Sequence, residues 1–204
     1  MRLLPFGDLA LLAEFDSLQE TIAAYRALSA STPRGLVELV PAARTVLVRV
    51  NPRELPLDAA ARWVLGVDVD ADLPDAGRNV VRIQVSYDGP DLQSAAELLG
   101  ISTDELIHRH TTTEWTCAFI GFAPGFAYLS SATSQLAVPR RSTSRAVVPS
   151  GSVGLAGEFT GVYPRASPGG WQLIGRTDAV LWDAERESPA RISPGDIVRF
   201  AVRR

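Results

Sequence analysis

The spacing of apolar residues lays out the first third of this 204-residue chain. Leu9, Leu11 and Ala13 recur with period two, as a half-buried strand requires. In "DSLQETIAAYRALSA", Leu18, Ile22, Tyr25 and Leu28 return at helical spacing behind Asp16 or Ser17 as the N-cap. Past Pro33 and Gly35, "LVELVPAA" and "RTVLVRVNP" read as two short strands joined around Pro41, and "LDAAARWVLG" as a second helix stopped by Gly66. The order strand, helix, strand, strand, helix, closed by "NVVRIQVSY", predicts an α+β N-terminal domain of ferredoxin-like type.

The pattern then changes. "VDVDADLPDAGR" is acidic, contains proline and offers few apolar anchors, so it reads as a linker. A boundary between Asp75 and Asn79 gives residues 1–77 as the α+β domain and 78–204 as a mainly-β domain. The second domain opens with two short helices, the first capped by Asp91 and stopped by Gly100, the next begun at Ser102 or Thr103. From Trp115 onward, "WTCAFIGF", "FAYLS", "AVVPSGSVGLAG", "GWQLIG", "AVLWD" and "DIVRFAV" are short β-rich runs cut by Gly and Pro, which predicts a closed barrel or a sandwich.

Composition narrows the chemistry. The net charge of -3 carries no basic excess, which argues against nucleic acid or an anionic membrane as partner. No apolar run approaches the roughly 20 residues of a membrane span, and Asp8 interrupts what would be a signal core, so a soluble, cytoplasmic protein is expected. All 20 basic residues are arginine, which excludes Schiff-base, pyridoxal-phosphate and Walker A lysine chemistry. With one cysteine, Cys117, and two histidines, His108 and His110, a Cys/His zinc site is not expected; Cys117 reads as a small buried hydrophobe.

Seven of the 16 glycines fall between Gly151 and Gly175, and glycine in strands costs roughly 0.5–1 kcal/mol relative to alanine. Such a cluster marks backbone that turns tightly or lets something approach, and points to a cleft. "FIGFAPGFAYL" sets aromatics around Gly121, Pro124 and Gly125, either as barrel core or as a turn that offers backbone amides to a ligand. His110, at a helix-to-strand junction, is a candidate acid/base group or a cap residue. Arg140, Arg141 and Arg145, with Arg165 and Arg176, could grip a carboxylate or phosphate, or form a solvated loop. Gly169, Gly170, Trp171 and Gln172 join apolar and directed polar groups as small-ligand sites do, and Tyr163 adds a hydroxyl. From the residues alone the reading reaches a binding or catalytic cleft in a β-rich domain.

The succession "YDGPDL", "HTTTEW", "GFAPGFAYL", "PRRSTSRAVVPSGSVGLAG", "TGVYPRASPGGWQLIGRT" and "SPGDIVRF" resembles the family that holds the B-type subunit of 5-oxoprolinase, the allophanate hydrolase small subunit and kinase-inhibitor-like proteins, a carboxyltransferase C/D-type domain. The resemblance covers nearly the whole chain. It implies a cyclophilin-like barrel after the α+β domain, a larger cyclophilin-like partner subunit and a third 5-oxoprolinase subunit. It implies hydrolysis of 5-oxoproline to glutamate with ATP as co-substrate, with or without Mg; the residues themselves show no evident metal site on this chain. Allophanate hydrolysis, biotin-dependent carboxyl transfer on a urea-derived substrate, and inhibition of a histidine kinase stand as alternatives. The family's positions fall on His110, as the candidate catalytic residue, and on Arg141, Arg145, Tyr163, Gly169, Gly170, Trp171 and Gln172, joined by Arg176, as candidate substrate or nucleotide contacts. Gly121, Pro124, Gly125, Gly151 and Gly154 fall on its structural turns, whereas Ala127 and Phe159 stand where relatives carry proline and glutamine.

Overall fold

The computed structural model describes residues 1–68 and 79–203, and the chain divides into two units, Met1–Ala76 and Gly77–Arg204. The expected linker and domain boundary lie almost wholly outside the described residues.

In the first unit, β1 (Arg2–Pro5) turns back through Gly7 into β2 (Ala10–Glu14). α1 (Leu18–Ala30) starts because Ser17, at φ -140°, accepts the Glu20 amide on its Oγ at 3.2 Å, while Glu20 reaches back to the Asp16 amide. β3 (Leu36–Pro41), β4 (Thr45–Val50) and α2 (Leu57–Leu65) complete an antiparallel sheet of order β1-β2-β4-β3. Ala13, Val46, Val48 and Val50 from the strands meet Ala24 and Leu28 of α1 and Val64 of α2 in its core. "NVVRIQVSY" does not close this sheet: the neighbour of β2 is β1, and the expected strand belongs to the second unit.

There β5 (Val80–Val85) lies parallel to β13 (Ile197–Val202), in register from Val80 opposite Ile197 to Val85 opposite Val202. With β6 (Trp115–Ile120), β7 (Ala127–Ser130), β9 (Ser152–Ala156), β10 (Phe159–Val162) and β12 (Gln172–Arg176) they form a seven-stranded sheet, order β12-β9-β10-β7-β6-β13-β5. Its two edges nearly meet. Ser86 and Arg176 exchange both backbone hydrogen bonds, at 2.8 and 2.9 Å, and the Asp91 amide donates to Leu173 O at 2.9 Å, so the chain after β5 runs along β12 and almost closes a barrel. Gly175 permits this closure, because a Cβ there would lie 2.6 Å from Ser86 O. Ile83, Val85, Cys117, Leu129, Leu155, Ile174 and Val198 fill the interior, each fully buried aliphatic contributing about 1.5–3 kcal/mol.

α3 (Leu92–Leu99) and α4 (Thr103–Thr112) lie between β5 and β6, with α3 against β12 and α4 against β13. Gly100, at φ 67°, ends α3, and Ser102 Oγ caps α4 by accepting the Glu105 amide. Asp91 precedes α3 but its side chain makes no cap hydrogen bond, contrary to the sequence expectation. β8 (Arg145–Val148) and β11 (Ser167–Gly169) form a separate two-stranded sheet.

Candidate functional site

The side chain that the helix start does not use is buried among arginines. Asp91 Oδ1 accepts Arg141 Nη1 and Arg145 Nη2, each at 2.8 Å, and Oδ2 accepts the Leu173 amide at 2.7 Å. Burial by itself would raise the carboxyl pKa. The Arg145 hydrogen bond, the Leu173 amide and both guanidinium charges outweigh it and hold Asp91 below the ordinary carboxylate range. The arginines are 36% and 24% exposed, so two guanidiniums share one carboxylate and leave a positive charge over; Arg145 Nη1 is buried without a hydrogen-bond partner.

Beside this ion cluster opens a cleft of about 520 Å³ between the face of α3 that carries Ser94, Glu97 and Leu98 and the segment Pro139–Ser142. Gln172 completes it, donating from Nε2 to Pro139 O at 3.2 Å. Arg141 is held from two sides, since its own amide also donates to Gly170 O at 2.8 Å.

Trp171 and Tyr163 belong to an adjoining aromatic cluster. Phe126 stands edge-on to Tyr163 at 5.1 Å and to Trp171 at 5.3 Å, and Phe119 stacks on Tyr128 at 4.3 Å. Burial pushes the Tyr163 and Tyr128 phenols up, against the opposing field of Arg140. The "GFAPGF" turn rims the cluster. Ala123 N donates to Gly121 O at 2.8 Å, which forces Phe122 to φ 69°, and Phe126 N donates to Ala123 O across Pro124 and Gly125, the latter at φ 79°. Phe122 is 59% exposed, a bulky residue in the left-handed region, a conformation that costs on the order of 1–3 kcal/mol. Phe159 packs edge-on against Tyr128 at 5.6 Å, and Ala127 is buried in β7, so both departures from the family pattern sit in packing positions.

His110 lies elsewhere, fully buried on the inner face of α4 and stacked on Phe200 at 4.4 Å. Thr160 Oγ1 donates its single proton to Gly154 O at 3.0 Å, so it accepts from His110 Nε2 at 2.9 Å. His110 Nδ1 is thereby the acceptor for the Tyr87 hydroxyl at 2.6 Å. Both ring nitrogens are used, and burial drives the imidazole pKa down to about 3. The ring is neutral near pH 7 and lines no part of the cleft.

Gly151, Gly154, Gly161, Gly169 and Gly170 answer to packing. A Cβ at Gly154 would lie 3.2 Å from Trp171 Cβ, one at Gly161 would lie 2.9 Å from Ala127 O, and those at Gly169, Gly170 and Gly151 would press on Tyr163, Ser144 and Thr177. The space a ligand would need is thus filled by neighbours. Arg176 is exposed and paired with Asp88 at 2.8 Å, outside the cleft lining. The structure therefore brings Arg141 and Gln172 to the cleft, Arg145 behind it, and Tyr163, Gly169, Gly170 and Trp171 beside it. It places His110 and Arg176 apart. Sequence reasoning missed Asp91 as an ion partner and Tyr87 and Thr160 as partners of His110; the "YDGPDL" run was the one local signal, since Gly-Pro fixes the turn that presents Asp91. Cys117 is buried, its thiol pushed up to about 12, as an inert core residue.

Fold and cleft together define a mixed α/β protein whose nearly closed β-barrel carries an arginine-walled cleft. Residues 1–192 match the family described as carboxyltransferase domain, subdomain C and D, and the chain belongs to that family. It is 44% identical over 170 residues to the B-type subunit of 5-oxoprolinase from Escherichia coli O157:H7, covering 81% of this chain and 77% of that protein. It is 43% identical over 129 residues to the protein of the same name from Bacillus subtilis strain 168, covering 62% of this chain and 54% of the relative, little more than half its length. The crystal structure of Kluyveromyces lactis urea amidolyase superposes with a TM-score of 0.73 over 98% of this chain and 15% of that one, at 16% identity, which is a likeness of fold.

Proposed function

We propose that this chain is the B-type subunit of an ATP-dependent 5-oxoprolinase that opens 5-oxoproline to glutamate. The observation that carries the reading is the 44% identity to a 5-oxoprolinase subunit of that type across 81% of the chain. The cleft supports it with the groups a small lactam acid needs: guanidiniums, an amide side chain and an apolar wall at Leu98. A lactam resists water because its carbonyl is amide-stabilised, and transfer of a phosphoryl group to the amide oxygen makes the ring carbon open to attack. This chain's part is to bind and orient the ring.

The residues present do not fit a triphosphate. There is no lysine, the clustered glycines other than Gly157 are packed against their own neighbours, and among the described residues no group of three or more His, Cys, Asp or Glu gathers as a metal site. ATP, with or without Mg, accordingly acts in this reading on partner subunits, a larger cyclophilin-like one and a third. The first unit is taken as ferredoxin-like with its fourth strand supplied by β1, and the second as the cyclophilin-like barrel, divided near residues 77 and 78. His110 and Arg176 are not assigned to substrate, whereas Arg141 and Gln172 are. Among the described residues no helix is long and apolar enough to cross a membrane, which is compatible with a cytoplasmic complex. No observation on this chain favours the carboxyltransferase, allophanate hydrolase or kinase-inhibitor alternatives.

The test is reconstitution with the subunits encoded beside this chain, following 5-oxoproline-dependent ATP hydrolysis and glutamate release together. Both should appear only when this chain is present. Coupled turnover without it, or none from a folded and complete complex, would refute the assignment.

A further inference from the structure

We infer that Arg140 is the carboxylate anchor of the cleft, and that Gln172 reads the ring amide of the ligand, so that the cleft selects a small acid carrying an N–H or carbonyl a few ångströms from its carboxylate. The inference rests on the 5-oxoprolinase reading for the ligand's name but not for the geometry.

Three arginines of "PRRSTSR" reach this region with unlike surroundings. Arg141 and Arg145 share Asp91, so part of their charge and one donor of each are already committed to that carboxylate, and Arg141 is a secondary contact for an incoming anion. Arg140 lines the cleft, is exposed, and has no hydrogen-bond or ion-pair partner among the described residues. It is therefore the wall residue whose full charge and donors are available to an incoming carboxylate. The excess charge of the Asp91 cluster adds to its field. Gln172 is buried and its Nε2 is engaged by Pro139 O, which leaves Oε1 as the acceptor for a ligand N–H.

The opposite wall has the other sign. Glu97 on α3 holds Gln93 Nε2 at 2.9 Å and faces the cleft beside Ser94. A dianion would meet Glu97 at one end, and a neutral lactam would leave Arg140 unmatched. A monoanion sets its one charge against Arg140 and turns an uncharged end toward Glu97, and 5-oxoproline, with a single carboxylate next to a lactam N–H that Gln172 Oε1 can accept, is such a molecule.

The experiment compares 5-oxoproline with its neutral carboxamide on the full chain and on the assembled complex, by chemical-shift perturbation and calorimetry. The acid should bind about tenfold or more tightly than the amide, as expected for a charge-assisted pair, and shifts should appear at the Gln172 side-chain amide. Arg140→Gln should erase the preference by weakening the acid alone, Arg140→Lys should restore part of it, and Arg176→Gln should leave it unchanged. Equal affinity of the two ligands for the unaltered protein, a preference that survives Arg140→Gln, or no binding to either chain or complex would overturn the inference. The two readings separate cleanly: a complex without 5-oxoprolinase turnover whose cleft still discriminates through Arg140 removes the activity and keeps the site, and active complex with an indifferent Arg140 does the reverse.

Discussion

Burial of His110 makes the stability of the barrel depend on pH through one side chain. The folded imidazole has its pKa near 3 against 6.5 when exposed, so between these values the unfolded chain binds a proton that the folded chain refuses. Stability contributed by the neutral ring is therefore complete above the unfolded value and is lost as pH falls below it. At pH 5 the loss relative to pH 7.5 is about 2 kcal/mol, a figure set by the exposed pKa alone as long as the folded value lies well below 5. It should appear in urea unfolding followed by tryptophan fluorescence, since Trp115, Trp171 and Trp182 all belong to the second unit. His110→Gln keeps an uncharged donor and acceptor for Tyr87 and Thr160, and should flatten the slope between pH 5 and 7.5 even though the variant is less stable throughout. In the unaltered protein the His110 ring should show no NMR titration down to about pH 4. A stability profile that is flat from pH 7.5 to 5, or an equal fall in the Gln variant, would show the reasoning wrong. The same property argues against acid/base catalysis by His110, because a group that serves that role titrates near the working pH. Loss of activity in His110→Ala should thus follow loss of the fold, in contrast to an intact but inactive protein.

Asp91→Asn keeps the acceptor for the Leu173 amide but strips two guanidiniums of their counter-charge. It should cost about 2–3 kcal/mol, discounted from the larger penalty for a wholly buried pair because both arginines are partly exposed. Since the folded Asp91 pKa is lowered, the stability its charge supplies in the unaltered protein is present above about pH 4 and lost as pH falls through the folded value; the variant should lack that acid limb, and identical acid limbs would count against the ion cluster. Gly175→Ala should open the barrel seam at Ser86 and cost about 3 kcal/mol or more in urea unfolding, whereas Gly157→Ala, with φ 56° and nothing within 4 Å, should cost only about 1–2 kcal/mol from backbone strain. Equal losses in the two variants would mean that close approach at the seam is not what requires Gly175.

Much of the local structure was legible because local chemistry decides it. Period-two and helical spacing located the strands and helices, Ser17 and Ser102 capped where a hydroxyl precedes an apolar run, and Gly100 stopped α3 because it takes a left-handed conformation. The absence of lysine and the scarcity of cysteine and histidine bounded the chemistry without any coordinates. The concentration of glycines was also visible, and its meaning was not: a glycine that admits a ligand and one that admits Trp171 or Ser86 look the same in a string of letters.

What the tertiary structure decided is pairing between distant segments. Val80–Val85 alternates like any half-buried strand, and nothing in that period tells whether its partner is a strand before it or β13, more than a hundred residues later. Asp91 before a helix reads as a cap until the Leu173 amide, 82 residues on, and two arginines compete for its oxygens and win by offering charge. His110 reads as a functional base until Thr160, 50 residues away, and Tyr87 take both nitrogens in a place water does not reach. Hydrophobic period reports that a residue is buried, and caps report where an element begins; the partner of a buried polar group depends on which surfaces meet when the barrel closes, and that is a property of the whole second unit.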